Sequence, residues 1–173
     1  IGSGTVLDTA RLKYLLGQYL GVDSRSVHAF IIGEHGDSEL AVWSSANVSG
    51  VDLGGYCQAA GKDYSFDAMN RIYENVRDAA YSIIEGKGAT YYAIGMTVLR
   101  IAEAIVRDEH SVLPVSSLVT GHYGVSEVCL GLPSVVGRNG VEAVLDLPLS
   151  EEERWRLLSS AKKLRSLLDE IGA

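Results

Sequence analysis

The chain has 173 residues, 47% of them apolar, which is enough for one core of ordinary domain size. Fifteen basic against 22 acidic residues leave a net charge of −7, a balance that repels the phosphates of nucleic acid and removes it as an expected partner. No apolar run approaches the ~20 residues of a membrane span, nothing has the shape of a signal peptide, and Cys57 and Cys129 lack the C-x-x-C spacing of a zinc or redox site, so a reducing cytoplasm is expected.

The chain opens on Ile1-Gly2-Ser3-Gly4 and runs straight into a helical pattern, which suggests a piece of a longer protein. Thr5 and Asp8 have the spacing of a capping box, and Leu7, Ala10, Leu12, Leu15, Leu16 and Leu20 recur at helical intervals until Gly21. Val27 to Ile32 reads as a strand, Gly33 to Ser38 as a turn, and Ala41-Val42-Trp43 as a second strand. A long amphipathic helix is predicted from Phe66 through Ile84, interrupted by Gly86-Lys87-Gly88, with another from about Tyr91 to Asp108. Between Ser111 and Leu147 the valine-rich, glycine-broken pattern predicts two or three antiparallel strands, with Asn139-Gly140 as the hairpin signal. Ser150 and the acidic run Glu151-Glu152-Glu153 open a last helix, in which Lys162, Lys163 and Arg165 would complement the dipole near the end. The fold class is therefore α+β, a single domain over residues 1–173. Strands and helices do not alternate, and no G-x-G-x-x-G links a strand to a helix, so no dinucleotide-binding Rossmann domain is expected within the chain.

Three residues bear on chemistry. Gly33-Glu34-His35-Gly36-Asp37-Ser38 puts an imidazole between two glycines at a strand end, where a substrate can approach. Asp8 and Arg11 lie three apart on the first helix and share a face. Taken singly, such a histidine is more often a solvated loop residue, and such a pair more often a cap with a weak surface partner. Taken together they match the needs of 2-oxo-acid reduction: a proton donor at the carbonyl, a carboxylate to orient and charge-stabilise it, and a guanidinium for the substrate carboxylate. The hydride must come from a cofactor. Ser38 has no nucleophile elbow, and the histidines His28, His35, His110 and His122 have no H-E-x-x-H spacing, so neither a hydrolase nor a metal site is expected.

Three segments, Gly2 through Arg11, His28 through Ser38, and Gly86 through Gly95, in this order and spacing, resemble the lactate and malate dehydrogenases, the third looking like the bacterial L-lactate dehydrogenases. The resemblance spans the whole chain but only the second half of a family member. It implies the substrate-binding C-terminal domain, with helices packed on antiparallel sheet and an NAD-binding Rossmann domain and mobile substrate loop lying before Ile1. It implies that His35 exchanges a proton with pyruvate and L-lactate, Asp8 steadies its imidazolium, and Arg11 grips the substrate carboxylate. Thr90 would line the substrate pocket, and Ser3 and Ile94 would lie near the nicotinamide of NAD, although Ile94 reads equally well as a buried helix-face residue. Lys13 and His28 occupy the positions at which many bacterial relatives bind the activator fructose 1,6-bisphosphate. Lysine replaces the arginine of that pattern, a point charge in place of a planar fork. The resemblance further implies that the complete protein is a cytoplasmic, allosteric homotetramer and is inactive if reduced to this half. Malate or a bulkier 2-hydroxy acid is the alternative substrate, and a non-catalytic assembly module the reading from another class.

Overall fold

The computed structural model describes residues 1–172, with all their side chains except those of Ser82 and Lys87. The described order is α1 (Val6–Leu20), β1 (Val27–His28), β2 (Ile31–Ile32), β3 (Leu40–Ala41), β4 (Asn47–Val48), β5 (Val51–Asp52), α2 (Leu53–Ala59), α3 (Phe66–Arg77), α4 (Ala79–Lys87), α5 (Tyr92–Val106), β6 (Ser111–Leu113), β7 (Ser116–Thr120), β8 (Ser126–Gly131), β9 (Ser134–Gly137), β10 (Gly140–Val144) and α6 (Glu151–Glu170). The strands form small antiparallel sheets in the orders β1-β4-β5, β2-β3, β7-β8 and β10-β9-β6. The fold is α+β, as the segregated pattern predicts.

β2 divides the interior. Ile31 packs with Leu12, Leu16 and Leu20 of α1 and with Met69, Ile72 and Val76 of α3. Its neighbour Ile32 faces the opposite way, toward Leu40, Leu130 and Leu157, because successive strand residues point to opposite faces. A third cluster joins Val6 to Ile101, Ala104, Val115 and Val136. α1 touches two of these cores, so its remaining face is the one free to serve a site.

Several local expectations are corrected. Thr5 does not cap α1 through its side chain. It is fully buried, and its hydroxyl donates to the Ile31 carbonyl at 2.6 Å. Asp8, the other half of the expected capping box, pairs instead with His35 and Arg11. The run from Val27 to Ile32 serves two sheets, β1 pairing with β4 and β2 with β3. The long helix from Phe66 breaks at Asp78, where ψ relaxes to −3°. Its apolar stripe is buried from Ala68 to Val76, whereas Phe66 before it and Tyr81 and Ile84 beyond the break are exposed, and the latter two offer no packing to keep the axis straight. Five strands, not two or three, occupy the region from Ser111 to Leu147. The β9–β10 hairpin turns at Arg138-Asn139 with Gly140 at φ 89°, one residue earlier than the Asn-Gly signal implies, since the left-handed residue follows the turn. Ser150 and Glu153 do form a reciprocal capping box on α6, but α6 runs on to Glu170 and its last turn has no basic residue. Lys163 and Arg165 instead pair with Glu34 and Asp169.

Candidate active site

The site exists because α1 is laced to β2. Thr9 Oγ1 accepts the Ile31 N–H at 2.9 Å, and the hydroxyls of Thr5 and Thr9 both reach the Ile31 carbonyl, at 2.6 and 3.3 Å. Ile31 pairs with Ala41 across the β2–β3 hairpin, and these two threonines, one turn apart on the helix, satisfy its other backbone edge. The lacing holds the N-terminal end of α1 beside the loop that follows β2.

That loop spans residues 33–39 and is pinned at both ends. Gly33 exchanges backbone hydrogen bonds with Gly131 of β8, each 2.9 Å. It sits at φ 98°, and a Cβ there would lie 2.9 Å from Ser160 Oγ, so both conformation and space call for glycine. Ser160 of α6 accepts the Glu34 N–H at 2.9 Å and lies 3.0 Å from Ser38 Oγ, and Ser38 donates to the Glu34 carboxylate. Lys163 closes on that carboxylate at 3.1 Å.

The loop delivers His35 to Asp8. Nδ1 of the imidazole lies 2.7 Å from Asp8 Oδ2, and Asp8 Oδ1 lies 3.4 Å from a guanidinium nitrogen of Arg11. The Asp8 side chain is 3% exposed whereas that of His35 is 59% exposed, so the carboxylate is sheltered while the ring faces the opening. On its other side the Nδ1 atom faces Glu39 Oε2 at 3.8 Å, an electrostatic contact longer than a hydrogen bond. The hydrogen bond to Asp8 and then the influence of Glu39 outweigh partial burial and push the His35 pKa up to about 10. Burial pushes the Glu39 carboxyl above the usual carboxylate range, against the opposing pull of His35. With two carboxylates at Nδ1, that nitrogen carries the hydrogen and Nε2 is left for a ligand.

The structure thus brings together the predicted trio Asp8, Arg11 and His35. Ser3 lies with His35 along a cleft of about 370 Å³ that also includes Gly33, Ser116, Cys129 and Leu164. Thr90 precedes α5 and Ile94 lies in its first turn, both partly buried, and neither is hydrogen-bonded to the trio among the described residues. Lys13 and His28 line a separate cavity of about 390 Å³ with Arg25 and Arg100, and its walls include none of the trio. There Arg25 is paired with Asp23, and Arg100 with Glu109. Burial lowers the pKa of Lys13.

Sequence reasoning missed Glu39, Thr9, Ser160 and Lys163. Glu39 had a legible signal, a charge opening an apolar strand where burial is costly. The α6 pair had none, being more than 120 residues from the loop in sequence. Among the described residues, two clusters could offer three donor atoms to a metal, Asp8 with His35 and Glu39, and Asp108 with His110 and Glu142, each set within 4.8 Å. Arg11 sits beside Asp8 in the first, and Arg138 lies 3.9 Å from Asp108 in the second.

The lactate/malate dehydrogenase α/β C-terminal domain family matches residues 5–173. L-lactate dehydrogenase 1 of Clostridium acetobutylicum is 51% identical over 171 residues, covering 99% of this chain and 55% of that protein. L-lactate dehydrogenase of a Synechococcus strain is 55% identical over 171 residues with the same coverage of each, 99% and 55%. Among solved structures, a lactate dehydrogenase from a Medee basin deep-sea metagenome superposes with a TM-score of 0.95 at 47% identity, covering 100% of this chain and 55% of that one. The minor L-lactate dehydrogenase of Enterococcus mundtii gives 0.93 at 40% identity, covering 98% and 54%. The chain spans about half the length of the curated relatives it matches.

Proposed function

The chain belongs to the lactate/malate dehydrogenase family, matching its C-terminal domain, and from that premise we propose that residues 1–173 are the substrate-binding, catalytic half of an NAD-dependent L-lactate dehydrogenase. The observation that carries the reading is the Asp8–His35 contact of 2.7 Å with Arg11 beside it, a proton donor, its orienting carboxylate and a carboxylate receptor on one surface.

In pyruvate reduction His35 Nε2 gives its proton to the ketone oxygen, and in lactate oxidation the same atom takes the hydroxyl proton back. General acid–base transfer of this kind is worth ~10²–10⁴ in rate. The high pKa of His35 makes the imidazolium the resting form at neutral pH, the form that donates. Asp8 keeps Nδ1 protonated and stabilises the positive ring. Arg11 binds the substrate carboxylate through two parallel N–H bonds, which fixes the ketone against His35.

NADH, when bound, supplies the hydride that no side chain can. The described strands form no parallel βαβ unit, so residues outside this chain would hold the nucleotide. The polar and glycine backbone at Gly2, Ser3 and Gly33 beside His35 suits the nicotinamide end alone. We place Ser3 and Ile94 near that ring and Thr90 in the substrate pocket. The relatives' length supports a separate NAD-binding domain in the complete protein, without which this half would not turn over substrate. α5 exposes Tyr92, Met96, Leu99 and Val106, apolar surface that such a domain or the subunits of a homotetramer would cover. No described helix is long and apolar enough to cross a membrane; by its family we place the complete enzyme in the cytoplasm.

The Lys13–His28 cavity, cationic and apart from the trio, is proposed as a fructose 1,6-bisphosphate site. An identical pyruvate saturation curve with and without the bisphosphate would remove that proposal. The reading as a whole is tested by NADH oxidation in the complete protein with pyruvate and oxaloacetate supplied separately. Faster turnover of pyruvate is expected. Faster turnover of oxaloacetate would keep the site chemistry and make malate the product, and turnover of neither would leave the non-catalytic assembly reading.

A further inference from the structure

Glu39 is a buried acid that the chemistry above leaves idle. Its side chain is 2% exposed, Oε1 has no hydrogen-bond partner among the described residues, and Oε2 faces His35 Nδ1 at 3.8 Å. A carboxylate in such a place is costly unless a positive charge answers it. The backbone puts it there: Leu40, next in sequence, is wholly buried in β3, and the Glu39 carbonyl accepts the Tyr73 hydroxyl of α3 at 2.5 Å and reaches Arg156 of α6 at 3.5 Å. The ionisable groups around it are Asp8 and Arg11 from α1, His35 from its own loop, Tyr73 and Arg156. Arg11 lies against Asp8, and Arg156 reaches the Glu39 carbonyl rather than its carboxylate. His35 is the cation that answers the Glu39 side chain.

We infer that Glu39 is a positioning residue that acts through His35, forming with Asp8 a wall of two carboxylates on the Nδ1 side that favours the imidazolium and presents Nε2 to substrate. This rests on the reading of His35 as the proton-transfer group. When His35 gives up its proton, carboxylate oxygens of Asp8 and Glu39 lie within 4.8 Å of each other, with Arg11 against Asp8 on its other oxygen. Like charges so placed resist joint ionisation, so loss of the ring proton is resisted. His35 and Glu39 therefore titrate as a pair.

The test uses the complete protein as wild type, Glu39→Gln and Glu39→Asp. The charge on His35 is followed by the chemical shift of ¹³Cε1-labelled histidine against pH, its resonance identified by its loss in His35→Asn. The expected result is a midpoint lower by about one pH unit in Glu39→Gln, from the loss of one neighbouring opposite charge, and by less in Glu39→Asp, whose charge survives one methylene further back. If Glu39→Gln does not fold, the smaller shift in Glu39→Asp carries the test. In turnover, the alkaline fall in kcat/KM for pyruvate and the rise in kcat/KM for L-lactate both move to lower pH in Glu39→Gln. Loss of structure alone would depress both directions without moving either limb. An unchanged His35 midpoint in both variants overturns the inference. A shifted midpoint in a protein that turns over neither pyruvate nor oxaloacetate supports the Glu39–His35 coupling and removes the dehydrogenase reading.

Discussion

Thr9→Val keeps the shape and β-branching of the side chain and deletes one oxygen. That oxygen accepts the buried Ile31 N–H at 2.9 Å and lies 3.3 Å from the Ile31 carbonyl, which Thr5 also serves at 2.6 Å. The carbonyl therefore keeps a donor in the variant, whereas the amide loses its acceptor inside the core. A buried donor left unpaired costs about 1–3 kcal/mol. At about 2–4 °C per kcal/mol for a domain of this size, a cost near 2 kcal/mol lowers the melting temperature by about 4–8 °C. Thermal unfolding measures this directly, and amide exchange locates it, with Ile31 losing protection before the interior of α1. Thr9→Ser, which keeps the hydroxyl, should lose much less. The lacing also registers α1 against the His35 loop, so the pyruvate KM should rise in Thr9→Val more than in Thr9→Ser. A Thr9→Val protein that melts with the wild type and keeps its Ile31 amide protected would refute the account of how the site is assembled.

Asp8→Asn removes the largest cause of the raised His35 pKa, so that pKa should fall by about two units. Because pyruvate reduction needs the imidazolium, its kcat/KM should begin to fall at correspondingly lower pH, and an unmoved alkaline limb would count against the pairing. Arg11→Lys replaces a fork by a point charge and should raise the pyruvate KM by about 10- to 100-fold, the equivalent of one charge-assisted hydrogen bond, with a smaller change in kcat; an unaltered KM would separate Arg11 from substrate. Gly33→Ala forces a side chain onto φ 98° and against Ser160 Oγ, which should cost about 1–3 kcal/mol in a thermal melt. Glu153, at the start of α6, accepts the backbone N–H groups of Trp43, Ser44 and Ser150 together with the Ser44 hydroxyl. Burial pushes its carboxyl up, but these bonds outweigh burial and lower its pKa overall. Its contribution is therefore complete above the ordinary glutamate pKa and fades as pH falls through the lowered one. Glu153→Gln should flatten the acid limb of the stability curve measured by urea unfolding, and an identical limb would exclude that role.

What was legible in the sequence was whatever neighbours in the chain decide. α1 ends at Gly21 because glycine adopts φ 74° there without strain, and α6 begins at Ser150 because its capping box lies within four residues. The residue types of the trio were legible too, since Asp8 and Arg11 lie one helical turn apart and His35 stands between glycines. Where the pattern misled, competition from distant partners was the cause. Thr5 has the side chain of a helix cap, yet a buried carbonyl 26 residues away claimed its hydroxyl. The apolar stripe from Phe66 predicts a single helix through Ile84, but only the part between Ala68 and Val76 found a core to cover.

The sequence by itself determined the α+β class, the ends of its best-marked helices and the chemical types available to a site, because periodicity, capping and side-chain chemistry are local properties. Only the tertiary structure decided that Asp8 would meet His35, 27 residues on in sequence, and that Glu39 would be buried against the same ring. It also decided that Ser160 and Lys163, from the far end of the chain, would pin the loop bearing the imidazole. These are meetings between segments, fixed by which backbone groups remain to be satisfied once the cores are packed. Residue spacing along one chain does not carry that information.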